Sequence, residues 1–246
     1  MSLYSEFETS GSWFFRYRSF LPLVALPLFV TSLQSYTYLG QSHRLTEWWQ
    51  TFCFLLSLSG LAVRIVTVGY APHGTAGRNT RRQVAETLNT TGMYSLVRHP
   101  LYFGNYLILL GFVMFFRSWS LVLLMTCLYT LYYERIMFAE EAFLKKRFGD
   151  LFEYWAASTP AFIPRLHGWI RPTLPFCWRT VLRREYSGLF LITSVFPLLD
   201  LLGDWFVEAK VHPDWPWFFV FVLGAMVYVT SRTLKRRTEL LRVAGR

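Results

Sequence analysis

The residues of this chain best equipped for chemistry form one short run and one later pair. Arg98-His99-Pro100 opens an apolar stretch, with Tyr94 before it and Tyr102 after it, and Glu140-Glu141 follows much further along. Arginine and histidine donate hydrogen bonds, and Pro100 suits a first helical turn, where its missing N–H costs nothing. The other free N–H groups of that turn, at the positive end of the helix dipole, favour an anion such as a carboxylate. Gly92 and Gly104 let a backbone or a ligand come close. One acid of the pair suits a cationic partner; since neighbouring helical residues do not share a face, the other is expected to face water. Singly, each residue has a plainer reading. An interfacial His or Arg meets phosphate headgroups, the acids precede Lys145-Lys146-Arg147 as solvated charge, the tyrosines fit an aromatic belt, and Asn79 and Asn89 are loop and cap residues.

Composition says what must position these groups. Of 246 residues, 53% are hydrophobic and 16% charged, too apolar for one soluble core. The 25 Lys plus Arg outnumber the 15 Asp plus Glu and lie in blocks between apolar runs, as in loops that touch anionic headgroups. A nucleic-acid interface would need a soluble module, and none is visible. Cys53, Cys127 and Cys177 suggest neither a disulfide framework nor a metal site. The fold class is therefore all-α: a polytopic membrane protein with about six spans, near 19–39, 50–70, 101–116, 118–137, 187–204 and 215–231. The third and fourth form a tight hairpin across Phe116-Arg117-Ser118-Trp119, and residues 138–155 continue the fourth as a cytoplasmic amphipathic helix closed by Gly149. The distribution of Lys and Arg puts both termini in the cytoplasm, and a bacterial inner membrane is the expected location. Trp48, Trp49, Trp119, Trp205, Trp215 and Trp217 are expected at span ends. The organisation reads as N-terminal helices over 1–77, a core over 78–165 and an extension with two spans over 166–246.

The pattern Gly92-x-Tyr94-x-x-x-Arg98-His99-Pro100-x-Tyr102-x-Gly104 carries a resemblance, together with Glu140-Glu141, Leu144, Phe148-Gly149, Tyr154, Pro160 and Ile163-Pro164. It is similar to the isoprenylcysteine carboxyl methyltransferases and their bacterial and phospholipid-methylating relatives, over roughly residues 78–165. The resemblance implies an integral membrane enzyme that uses S-adenosylmethionine to methylate a lipid headgroup, lipid phosphate or prenylated carboxylate. It implies that Asn79, Asn89, Tyr94, His99, Pro100, Tyr102 and Glu140 contact the donor, with Arg98, His99 and Glu140 as the catalytic set. Arg135 and Glu141 are the expected acceptor contacts. Asn79 stands where the family has Gln, and Arg135 is offset from the family's Arg position, held here by Ile136.

Methyl transfer from a sulfonium is an in-line displacement, so alignment and exclusion of water supply most of the rate. An amine acceptor wants a base, for which His99 or a Glu is available. Two other classes compete. NADPH-dependent sterol or isoprenoid reductases share an Arg-His-Pro-x-Tyr-x-Gly run but typically carry an acid where this chain has Asn105, and lack the paired Glu. A non-catalytic lipid-binding or transport protein is expected to bury polar residues within its spans. Here Arg64 is the conspicuous one, and its place near the end of a span lets it snorkel outward.

Overall fold

The computed structural model describes residues 2–18, 21–72, 85–210, 214–243 and 245, and those residues contain helices and no strand. The α-helices are α1 (Leu3–Tyr17), α2 (Leu26–Gln34), α3 (His43–Tyr70), α4 (Pro100–Phe115), α5 (Trp119–Phe148), α6 (Asp150–Ser158), α7 (Trp178–Glu208) and α8 (Trp215–Arg237). Local signals set several ends. Ser42 and Ser118 accept from Leu45 N and Leu121 N, capping α3 and α5. Gly149, at φ +54°, ends α5 and opens α6.

Among the described residues, four helices are long and apolar enough to cross a membrane: α3, α5, α7 and α8. Of the apolar windows of α5 and α8, only 22% and 11% is buried within the chain, so the rest needs an apolar surrounding. The expected count of about six is not confirmed among the described residues. The first run is a 3-10 turn at Leu21–Ala25 followed by α2, and nine α-helical residues rise only about 14 Å of the roughly 30 Å core. α4, at 16 residues, also falls short of about 20. The α4–α5 hairpin is present, its turn closed by Arg117 in a left-handed conformation. Trp48, Trp119, Trp205 and Trp215 are exposed, but Trp217 is core, lying against Phe54 and Phe196, and Trp49 donates to Met114 O.

α3 is the centre of the bundle. It runs antiparallel to α4, and the two backbones nearly touch: a Cβ on Gly60 would stand 2.4 Å from Gly104 O, and one on Gly111 would stand 2.5 Å from Cys53 O. Ser57 Oγ donates to Ile108 O across this seam at 3.0 Å. Small residues here let dispersion forces act between close backbones, the main attraction available where lipid is as apolar as the side chains. α7 is antiparallel to α3, pairing Glu185 with Arg64 and Asp200 with Gln50. α8 returns along α7, with Gly224 on Thr193 and Lys235 Nζ donating to Arg183 O.

These directions gather the start of α4, the ends of α3, α5 and α8, and the start of α7 at one end of the bundle. That end is basic, with Arg98, Lys145, Lys146, Arg147, Arg184, Lys235, Arg236 and Arg237. The opposite end holds Glu47, Asp200, Asp204, Glu208 and Asp214. There Gln50 Nε2 donates to Asp200 at 2.9 Å and Tyr38 donates to Asp204 at 3.0 Å. Buried polar groups within the long helices are thus more numerous than Arg64 alone.

Candidate active site

The segment before α4 is shaped by the chain that follows α6. A 3-10 turn, Gly92–Ser95, begins with Gly92 at φ +62°, a conformation open to glycine at little cost, and Gly92 N donates to Ile170 O. Trp155 Nε1 donates to Tyr94 O, Arg165 reaches Ser95 O from two nitrogens, and Arg98 N and His99 N donate to Pro160 O and Ala161 O. The Arg-His-Pro run is therefore pinned by its backbone before any side chain acts.

His99 ends this pinned segment at the N-cap of α4 and is buried. Its Nε2 lies 2.9 Å from Glu141 Oε1 and its Nδ1 lies 3.5 Å from Glu140 Oε2. Tyr102, one turn along α4, donates to Glu140 Oε1 at 2.7 Å, and its ring is stacked with the imidazole at 5.6 Å. The expectation that one acid faces water is corrected here. Both carboxylates reach the same imidazole, because the ring enters between their diverging side chains and offers one nitrogen to each. Burial disfavours charge on His99, but the hydrogen bonds and charges of Glu140 and Glu141 outweigh it and raise the pKa above its ordinary 6.5. The imidazole is thereby biased toward a charged hydrogen-bond donor and away from acting as a base.

Arg98 flanks the pair. Its Nε stands 3.1 Å from Glu141 Oε1, an ion-pair contact without hydrogen-bond geometry, and is a buried donor with no hydrogen-bond partner among the described residues. Its Nη1 donates to Ala156 O. Burial pushes the Tyr94 hydroxyl up, Glu140 adds to the shift, and Arg184 and Arg64 oppose it. Arg98, His99, Glu140, Glu141, Tyr102 and the N1 residue Pro100 are thus brought together, with Tyr94 in the same electrostatic neighbourhood.

Other expected residues lie elsewhere. Asn89 Oδ1 accepts from Thr91 N at 3.2 Å in a local turn. Arg135 turns to α1, with its guanidinium 3.5 Å from the centre of the Phe7 ring and Nη1 on Ser10, so it is not brought to His99. The cause is α1 itself, a helix the sequence reading did not anticipate, which covers that face of α5. Asn79 lies outside the described residues. Tyr154 is exposed.

Two groups were missed. Tyr129 and Tyr133 of α5 stack at 4.1 Å, and Tyr129 donates to Tyr102 O at 2.7 Å, so they hold Tyr102 from behind. Their signal was hydroxyls at helical spacing within an apolar span. The second is a buried cluster in which Arg64 donates to Glu185 through Nε and Nη2, each at 2.8 Å, and to Asn105 through Nη1 at 2.6 Å. Arg64 does not snorkel, because α7 begins at Trp178, nine residues ahead of the expected span, and carries Glu185 into the bundle.

Residues 52–151 match the model of the phospholipid methyltransferase family. The chain is 38% identical to the cobalt-zinc-cadmium resistance protein CzcN of Cupriavidus metallidurans, over 46% of this chain and 50% of that protein. It is 33% identical to the nickel-cobalt-cadmium resistance protein NccN of Alcaligenes xylosoxydans xylosoxydans, over 46% and 51%. It is 32% identical to the protein-S-isoprenylcysteine O-methyltransferase of Schizosaccharomyces pombe, over 35% and 36%. The chain thus spans about half or less of the length of these curated relatives. No solved structure matches it. The resemblance read from the motif is borne out at the level of the family.

Proposed function

We infer the activity from one premise: residues 52–151 match the phospholipid methyltransferase family, and the His99 cluster lies inside that stretch. We propose that the protein is an integral membrane methyltransferase that uses S-adenosylmethionine to methylate a membrane-borne acceptor at the cytoplasmic leaflet. The observation that carries this reading is the convergence of His99, Tyr102, Glu140 and Glu141 at the basic end of the bundle.

The side chains suit such a donor at both of its charged ends. Glu140 and Glu141 are about three-quarters buried and offer negative charge to a cation, while the unsatisfied Arg98 Nε offers a donor to a carboxylate. S-adenosylmethionine, when bound, supplies a methyl group already activated on a sulfonium. The chain's part is to orient that group and exclude water from it. Tyr102 fixes Glu140, His99 spaces the two acids, and the strap of residues 155–170 holds Arg98 and His99 in register. With His99 biased toward its charged form, Glu140 is the better base should the acceptor be an amine.

The test is calorimetric titration of the purified chain with S-adenosylmethionine, beside transfer of labelled methyl to membrane fractions. His99→Ala and Glu140→Ala are expected to abolish transfer while the protein stays folded. Binding of NADPH with no affinity for S-adenosylmethionine would instead favour the reductase class. Because two relatives are named for resistance to cobalt, zinc, cadmium or nickel, tolerance of those cations is the first phenotype to measure in a deletion strain.

A further inference from the structure

The chain that follows α6 dips along α4 and comes back. From Tyr154 to Pro164 it holds no charged residue. Pro160 O and Ala161 O accept from Arg98 N and His99 N, level with the start of α4. The next ring goes deeper: its centre lies 5.9 Å from that of Phe103 and 5.8 Å from that of Tyr106, in the first two turns of α4, and 6.3 Å from that of Tyr129 in α5. That ring is Phe162, and three residues later Arg165 N donates to Leu96 O, ahead of α4 again. α4 has 16 residues and rises only about 24 Å. With its far end at the α4–α5 turn, its first turn does not clear a hydrocarbon core of roughly 30 Å. Phe162 therefore sits inside that core, and Ile163 beside it is 74% exposed. Irregular backbone is tolerated at such depth only where protein satisfies its polar groups. Pro160 and Pro164 carry no N–H to satisfy, and the carbonyls of Pro160 and Ala161 are bonded.

We propose that residues 160–164 form a re-entrant hook in the cytoplasmic leaflet, in which Phe162 anchors the segment between α4 and α5 and Ile163 faces the acyl chains of the lipid. The partner of this surface is the hydrocarbon of the membrane. A second copy of the chain would also cover an apolar residue, but the depth set by Phe162 and the largely uncovered apolar window of α5 beside it favour lipid. The hook makes up thickness that α4 lacks. Because its first two carbonyls hold Arg98 N and His99 N, the leaflet steadies the candidate site through it. The hook is a positioning element and touches no reacting atom. Its insertion stands without the methyltransferase reading, whereas its effect on transfer rests on that reading.

The experiment uses the full chain in lipid nanodiscs, with Cys127 and Cys177 replaced by serine and a nitroxide on Ile163→Cys. Two references are labelled alike: Leu123→Cys on the exposed face of α5, and Lys146→Cys at its basic end. Power-saturation EPR compares relaxation by oxygen, which concentrates in hydrocarbon, with relaxation by a water-soluble chromium complex. Position 163 is expected to follow position 123, with oxygen the stronger relaxant. A profile like that of position 146 puts Ile163 in water and overturns the proposal. Shielding from both relaxants, the mark of a protein cover, overturns it as well. Ile163→Asp leaves Phe162 in place but sets a charge among acyl chains. It is expected to lower methyl transfer about tenfold or more and to lower the melting temperature, and Ile163→Leu to restore both. Equal transfer by the two variants would show that the hook does not steady the site. A chain that binds no S-adenosylmethionine loses the methyltransferase reading, and the depth profile alone then decides the insertion.

Discussion

His99 is held on both ring nitrogens by acids from one helix, and this fixes how the protein responds to pH. Its pKa in the fold is raised above 6.5, so the native state binds its proton more tightly than the unfolded chain does. The stability this contributes is fully present below about pH 6.5 and is lost as pH rises through the higher folded value. Melting temperatures across about pH 5 to 9 should therefore fall faster toward the alkaline side for the wild type than for His99→Gln. Parallel curves would show that the imidazole is not clamped as described. At the same scale, Glu140→Gln keeps the bond from Tyr102 but removes a charge. Donor affinity should drop about tenfold, the equivalent of about 1.4 kcal/mol, as read by calorimetry.

Between elements, the α3–α4 seam sets the site's depth, because it decides how far Arg64 stands from Asn105 and where α4 begins. Gly60→Val places branched carbon against the backbone of α4, where nothing flexible can yield. It should destabilise the chain by about 1–3 kcal/mol in detergent unfolding, and transfer should be lost with it. The polar pairing at the far end is a separate matter. Asp200→Ala breaks the bond from Gln50 and should cost about 1 kcal/mol, the scale of interhelical bonds in membranes, with donor affinity unmoved. An equal loss of donor binding would mean that the two ends of the bundle are coupled.

For the whole molecule, the gathering of basic residues at the site end supports a cytoplasmic placement of that end. Single cysteines at Leu166 and Ala209, both exposed, test it once Cys127 and Cys177 are replaced by serine. An impermeant maleimide should label position 166 in inside-out vesicles and position 209 in spheroplasts; the reverse pattern would invert the orientation.

The linear chain by itself settled the helical membrane class, the α4–α5 hairpin and the motif, because these are local: long apolar runs, a connection too short for a domain, fixed spacings within a few turns. It also named His99, Tyr102 and both acids. Only the tertiary structure decided that the two acids share one imidazole, that α1 covers Arg135, and that Glu185 rather than water meets Arg64. Each of these depends on which helix faces which. That is set by the close approach permitted at Gly60, Gly104 and Gly111 and by partners more than a hundred residues apart, neither of which leaves a periodic trace in the sequence.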